Sequence, residues 1–185
     1  MIIGVTGPIC AGIDNFMNFF VEKGFTHFSY SDILRGELRR RGEEITRKNL
    51  QDIGDELREK YGKGILSKRM IEKMEPGKNY VVGNIRNPGE VEEFRKLGDF
   101  ILLLIDSPFD VRFKRAVKRN RENEPLDLEG FKKMEERDLG IKQEEYGQQH
   151  GAVFKMADKT IVNDGSLEEL REKVEELLGE LKASS

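Results

Sequence analysis

Short apolar runs alternate along the chain with longer segments whose apolar residues recur every three or four positions. Ile2, Ile3, Gly4 and Val5 close on Thr6-Gly7-Pro8, which reads as a buried strand entering a loop. Phe16, Phe19 and Phe20 then recur at helical spacing and predict a helix over residues 15–23, stopped by Gly24. Residues 26–30 form a second strand candidate. From Asp32 the chain is polar and helical through the arginine run 39–41. Leu50, Ile53 and Leu57 predict a helix over 46–61 ended by Gly62, and another follows over 65–74, closed by Pro76-Gly77.

Residues 80–82 predict a third strand, and Asn87-Pro88-Gly89 a turn opening a helix over 90–97. Residues 100–105 (FILLLI) are apolar throughout, as in a central strand of a parallel sheet buried on both faces. Helices over 110–119 and 128–138 flank the polar stretch 119–127. A last strand over 159–162 leads through Asn163-Asp164-Gly165-Ser166 into an amphipathic helix to about residue 181. Strands alternating with helices predict an α/β fold, doubly wound, with about five parallel strands.

Composition narrows the function classes. The 185 residues suit one domain spanning 1–185. With 37% hydrophobic and 36% charged residues and a net charge of −3, nothing implies bulk attraction to nucleic acid or an anionic membrane. No apolar stretch approaches the roughly 20 residues needed to span a bilayer. Cys10 is the single cysteine, so there is no internal disulfide. The chain opens directly on a strand pattern without a basic leader, and a cytoplasmic location is expected.

The loop after the first strand carries the most pointed signal. Gly7, Pro8, Ile9, Cys10, Ala11 and Gly12 have the glycine spacing of a phosphate-binding P-loop, whose pattern closes on Lys and then Ser or Thr. Such a loop turns backbone amides toward phosphate at a helix N-terminus. Here Ile13 and Asp14 stand at the Lys and Ser/Thr positions. A lost charge-assisted hydrogen bond is worth about 1.5–3 kcal/mol. A carboxylate about 5 Å from a phosphate costs about 3 kcal/mol at an effective dielectric near 20. Asp14 as a direct Mg²⁺ ligand would turn that repulsion into a bridge. A simple strand-to-helix turn is the competing reading of the loop.

Four further stretches bear on that choice. HFSYSDILRGEL, residues 27–38, places Asp32 and Arg35 three apart, a spacing that also suits an N-cap Asp with an ion pair to Arg35. GNIRNPGEVEEFRKLG, residues 83–98, presents Arg86 after a strand. DVRFKRAVKRNRENE, residues 110–124, sets Arg112, Arg115 and Arg119 on one helical face, followed by Arg121; a solvated basic face is the plainer reading. In IVNDGSLEELREKVEELL, residues 161–178, Ser166 and Glu169 satisfy a capping box.

In order and spacing, the loop and these four stretches resemble the P-loop nucleoside monophosphate kinases, nearest the branch of dephospho-coenzyme A kinases and deoxynucleotide monophosphate kinases. The resemblance runs from Met1 to about Leu178. It implies a P-loop three-layer sandwich with a small helical acceptor-binding insertion over about 35–75 and a short lid over about 119–140. It implies catalytic roles for Asp32, Arg86 and Arg115, acceptor binding by Arg35 and Arg86, and phosphate contacts from lid residues Arg112, Arg115, Arg119 and Arg121. It also implies an adenine-side turn at Asn163, Asp164 and Gly165, and Mg²⁺ at Asp14 and Asp32 with ATP in an active member. In related chains an Asp commonly precedes the strand-end Arg by two or three residues, where this chain has Gly83 and Asn84.

The departures at Ile13, Asp14 and Gly83 all fall on the metal–triphosphate side. The expected function is therefore binding of a nucleotide or phosphorylated small molecule, with ATP-dependent transfer weak or lost. An active kinase in which arginines, a protein partner or a second copy of the chain replace the Lys is the alternative, and a ligand-free scaffold is the third. His27 is expected to pack beside a strand. The stretch 146–151, which includes His150, carries no chemistry assigned from its residues.

Overall fold

The structure is a computed structural model that describes residues 1–119, 127–140 and 149–183. Five parallel strands form one sheet: β1 (Ile2–Thr6), β2 (Thr26–Ser29), β3 (Tyr80–Gly83), β4 (Phe100–Asp106) and β5 (Lys159–Val162), in the order β2-β3-β1-β4-β5. Helices α1 (Ile13–Glu22) and α9 (Leu167–Ala183) cover one face. The other face carries α2 (Tyr30–Arg41), α3 (Arg47–Tyr61), α4 (Ile65–Ile71), α5 (Pro88–Arg95) and α8 (His150–Phe154). Helices α6 (Phe109–Arg119) and α7 (Leu128–Asp138) follow β4.

The core is divided by the sheet. Val81 and Leu103 pack with Phe16, Phe20, Leu170 and Val174, whereas their neighbours Val82 and Leu102 pack with Leu66, Phe94 and Val153. That period of two, apolar on both faces, is what helices on both sides of a sheet require. All five residues of β1 are buried, and β1 is the central strand. The apolar run expected at the centre forms β4, one place over, between β1 and β5.

Several boundaries differ from expectation for local reasons. Helix α2 begins at Tyr30, because the Ser29 hydroxyl accepts from the Ser31 N–H at 3.2 Å and caps it. Asp32 therefore stands in the first turn and is not the cap. Asn87-Pro88-Gly89 is already the start of α5: Asn87 is the N-cap, Pro88 occupies the first turn and Glu90 closes a capping box. Helix α8 was not anticipated, since five residues are too few to show a helical period. His27 lies within β2 and is exposed, as an edge-strand position allows.

Candidate functional site

Because all five strands run in one direction, their C-terminal ends open onto one edge of the sheet, where α/β folds bind ligands. Residues 7–12 leave β1 there, α2 starts beyond β2, residues 84–87 leave β3, Ser107 follows β4 and Asn163 follows β5.

The loop of residues 7–12 alternates in handedness. Cys10 (φ 61°) and Gly12 (φ 97°) are left-handed, and the Ala11 N–H donates to the Pro8 carbonyl at 3.1 Å. Such alternation is how consecutive amides come to form an anion nest. The outer side of the loop is gripped through its carbonyls. The Asn163 amide donates to Ala11 O at 2.7 Å, and a Cβ on Gly12 would stand 2.3 Å from that amide nitrogen. Arg115 donates to Ala11 O (3.4 Å), the Ser107 hydroxyl (3.2 Å) and Asn163 Oδ1 (3.4 Å). The Arg112 Nε donates to Ser107 O at 2.8 Å, and a terminal nitrogen reaches Ile9 O at 3.4 Å while pairing with Glu135 of α7.

Ile13, at the Lys position of the P-loop pattern, is turned into the core. Its side chain is 8% exposed and joins the apolar cluster of β1, α1 and α9. Its Cδ1 lies 3.4 Å from where a Cβ on Gly7 would be, so it folds back to the start of the loop. Asp14 is exposed in the first turn of α1, where the helix dipole favours a carboxylate.

Around β2 and β3 the expected residues take distinct places. Asp32 and Arg35 form an ion pair at 3.1 Å on the surface of α2. At the end of β3, a Cβ on Gly83 would lie 2.0 Å from the Met17 sulfur, so Met17 fills the space a longer side chain would need. Asn84 is left-handed (φ 59°), a conformation Asn tolerates better than most residues. The backbone from 85 to 87 is then pinned on every side. Ile85 N–H donates to Val5 O, Thr6 Oγ1 to Ile85 O (2.9 Å), Arg86 N–H to Glu90 Oε2 (3.0 Å) and Gln149 N–H to Arg86 O (2.8 Å).

A buried polar cluster lies beneath Arg86. Glu90, 1% exposed, accepts from Arg58 Nε and a terminal nitrogen of Arg58, itself 5% exposed, at 3.1 and 2.9 Å. The Tyr30 hydroxyl bonds the Ser67 hydroxyl at 2.8 Å, and burial, reinforced by the Glu90 charge, pushes its pKa well up. His150 is buried, and among the described residues its Nε2 has no hydrogen-bond partner. Burial, then the charges of Arg86 and Arg58, push its pKa down to about 3. A groove of about 290 Å³ opens alongside, lined in part by Lys63, Lys68, Glu92, Glu93 and Gln149.

Sequence reasoning missed Arg58, Glu90, Tyr30 and His150. Glu90 had a signal: Asn-Pro-Gly-Glu reads as a capping box. Arg58 had a weaker one, standing next to Leu57 on the apolar stripe. On the other side of the edge, the Ser166–Glu169 capping box forms (3.1 and 3.2 Å) and Asp164 faces Lys173 at 3.8 Å. Arg119 ends α6, while Arg121 and residues 146–148 lie outside the described residues.

A metal site was also expected at Asp14 and Asp32. Among the described residues no three His, Cys, Asp or Glu side chains converge. Asp32 is engaged by Arg35, and Asp14 is exposed in the first turn of α1. Two separate carboxylates would hold Mg²⁺ only together with the phosphates of a bound nucleotide, since this ion takes one or two carboxylates and substrate oxygens in preference to an all-protein cage.

Residues 10–132 match the family model described as AAA domain. A UPF0200 protein of Sulfurisphaera tokodaii is 36% identical over 181 residues, covering 96% of this chain and 95% of that one. The chain belongs to the UPF0200 family. Its fold is that of P-loop kinases: the dephospho-CoA kinase of Campylobacter jejuni superposes with a TM-score of 0.62 at 20% identity, covering 100% of this chain and 98% of that one. The shikimate kinase of Acinetobacter baumannii, solved with shikimate, does so with a TM-score of 0.58 at 15% identity, covering 100% and 94%. This UPF0200 chain thus has the fold of P-loop kinases, and at the Lys position of its own loop stands an isoleucine packed into the core. Among its described residues no helix is long and apolar enough to cross a membrane.

Proposed function

We propose that this UPF0200 chain binds a nucleotide or another phosphorylated small molecule at the C-terminal edge of its sheet, and that ATP-dependent phosphoryl transfer is weak or lost. The observation that carries this reading is the burial of Ile13. Phosphoryl transfer depends almost wholly on positioning and on cations aimed at the transferred group. At Ile13 the loop offers neither a charge nor a hydrogen-bond donor from its side chain. Arg112 and Arg115 come close, but the hydrogen bonds given above run to loop carbonyls, Ser107 and Asn163. On this reading these two arginines and Asn163 hold the loop in shape, and Arg86 with Arg35 meets the ligand's phosphate on the acceptor side.

The test is a coupled assay of the purified protein with ATP, Mg²⁺ and a panel of nucleoside and deoxynucleoside monophosphates and dephospho-coenzyme A. Turnover below about 0.01 s⁻¹ is expected for every acceptor, against about 1–100 s⁻¹ for kinases. Turnover at 1 s⁻¹ or faster establishes the active-kinase alternative instead. Thermal stabilisation by at least one of these ligands at millimolar concentration is expected in parallel. Its absence for all of them supports the scaffold reading.

A further inference from the structure

We infer that the buried Arg58–Glu90 pair is a positioning device for Arg86, fixing the backbone from which that side chain reaches the edge of the sheet. The role of Arg86 rests on the reading proposed above; the placement does not. Glu90 does more than cap α5. A capping box needs one carboxylate oxygen on the N-cap N–H, here Asn87 at 3.2 Å. The same Oε2 also takes the Arg86 N–H at 3.0 Å, and Oε1 is clasped by two nitrogens of Arg58 from α3. A capping Glu at a helix start can stay in water, whereas this one is 1% exposed and its partner 5%. Burying an ion pair is weak evidence for stability, because apolar replacements are often neutral or stabilising.

What the arrangement achieves is geometric. The N–H of Arg86 is set by Glu90 and its carbonyl by the Gln149 N–H, while Ile85 on one side and Asn87 on the other are each held by hydrogen bonds of their own. The main chain of residues 85–87 is therefore fixed to β1, α5 and the segment entering α8 at once. Arg58 adds the orientation of the carboxylate, since with Oε1 held by two Arg58 nitrogens and Oε2 by two backbone N–H groups the carboxylate loses its freedom to rotate. Through α3, the helical layer over β2 and β3 thereby sets where an arginine at the end of β3 begins.

The experiment compares Glu90→Gln, the apolar double variant Arg58→Met/Glu90→Met, Arg86→Ala and the triple combination in the full chain. Amide hydrogen exchange of the free protein reads the backbone, and AMP titration followed by NMR of the His150 ring reads the site, with exposed His27 as the internal control. In both Glu90 variants, exchange at Arg86 and Asn87 is expected to accelerate at least tenfold while β1 and β4 stay protected. The apolar pair is expected to melt within a few degrees of wild type yet to weaken AMP binding about tenfold, as Arg86→Ala does, with no further loss in the triple variant. Unchanged exchange at Arg86 and Asn87 in Glu90→Gln overturns the inference, as does an AMP loss that adds fully to that of Arg86→Ala. If wild type itself fails to bind AMP, that counts against the proposed function, and the exchange measurement alone then decides the positioning role. Should the apolar pair not fold, Glu90→Gln carries the same two readouts.

Discussion

The Asn163 side chain and Gly12 share one space: the amide nitrogen that donates to Ala11 O at 2.7 Å stands 2.3 Å from where a Cβ on Gly12 would be. The turn after the last strand thus shapes the loop after the first. Gly12→Ala meets that nitrogen and must also hold φ 97°, so it is expected to cost about 1–3 kcal/mol in urea unfolding. Asn163→Ala leaves the Ala11 carbonyl without its shortest donor and is expected to cost about 1–2 kcal/mol. The double variant should cost about 1 kcal/mol less than the sum, because removing Asn163 clears the place the new methyl needs. Full additivity would mean that the two residues do not constrain one another.

The buried Ile13 makes the loop testable as a phosphate site. Ile13→Lys with Asp14→Ser removes apolar packing and is expected to lower stability by about 1–3 kcal/mol. The same change supplies a charged donor worth about 1.5–3 kcal/mol to a bound phosphate and removes a repelling carboxylate. ATP affinity measured by calorimetry should then rise between about tenfold and a hundredfold. No gain would mean that residues 7–12 do not form a latent phosphate nest.

The two halves of this site were unequally visible beforehand. The strand–loop–helix opening, the parallel sheet and the Ser166–Glu169 capping box are local or periodic, and each was legible because neighbouring residues carry the pattern. The packing of Ile13 was not: an isoleucine after a glycine looks the same whether it points at solvent or into a core. Nor was the division of labour among the arginines. Arg112 and Arg115 share a helical face with Arg119, but only the fold brings the carbonyls of Ile9 and Ala11, more than 100 residues away in sequence, against that face. Arg58 and Glu90 stand 32 residues apart on separate helices, and a buried ion pair between helices leaves no periodic trace.

Gly83 explains one departure in steric terms. A side chain there would run into the Met17 sulfur at 2.0 Å, so Gly83→Ala is expected to cost about 1–3 kcal/mol by overpacking. Met17→Ala removes buried thioether and costs about 2–5 kcal/mol alone. Combined, the two should cost clearly less than their sum, because each relieves what the other creates. Thermal or urea unfolding of the four proteins in the cycle measures this coupling directly. A coupling near zero would mean that the end of β3 has room for a carboxylate irrespective of Met17.

Acid should destabilise this protein in two overlapping windows. The pKa of His150 is held at about 3 by burial and by Arg86 and Arg58, against an ordinary value of 6.5. Between those values the unfolded chain binds a proton that the folded chain refuses, so stability falls as pH drops below 6.5, by no more than about 5 kcal/mol. Glu37 has the same sign for a different reason. Hydrogen bonding from Arg40 outweighs burial and, with Arg41 and Arg69, holds its pKa at about 2 against 4.5, so its contribution is complete above 4.5 and is lost as pH falls toward 2. Urea unfolding at a series of pH values separates the two. His150→Phe should flatten the slope between pH 6.5 and 4.5 and raise stability at pH 5, since it also removes an unpartnered buried nitrogen. Glu37→Gln should leave that upper slope intact, flatten the lower one, and cost about 1–3 kcal/mol at pH 7 through weakened arginine contacts. An unchanged upper slope in His150→Phe would show that His150 titrates normally in the folded protein and is not buried against the two arginines.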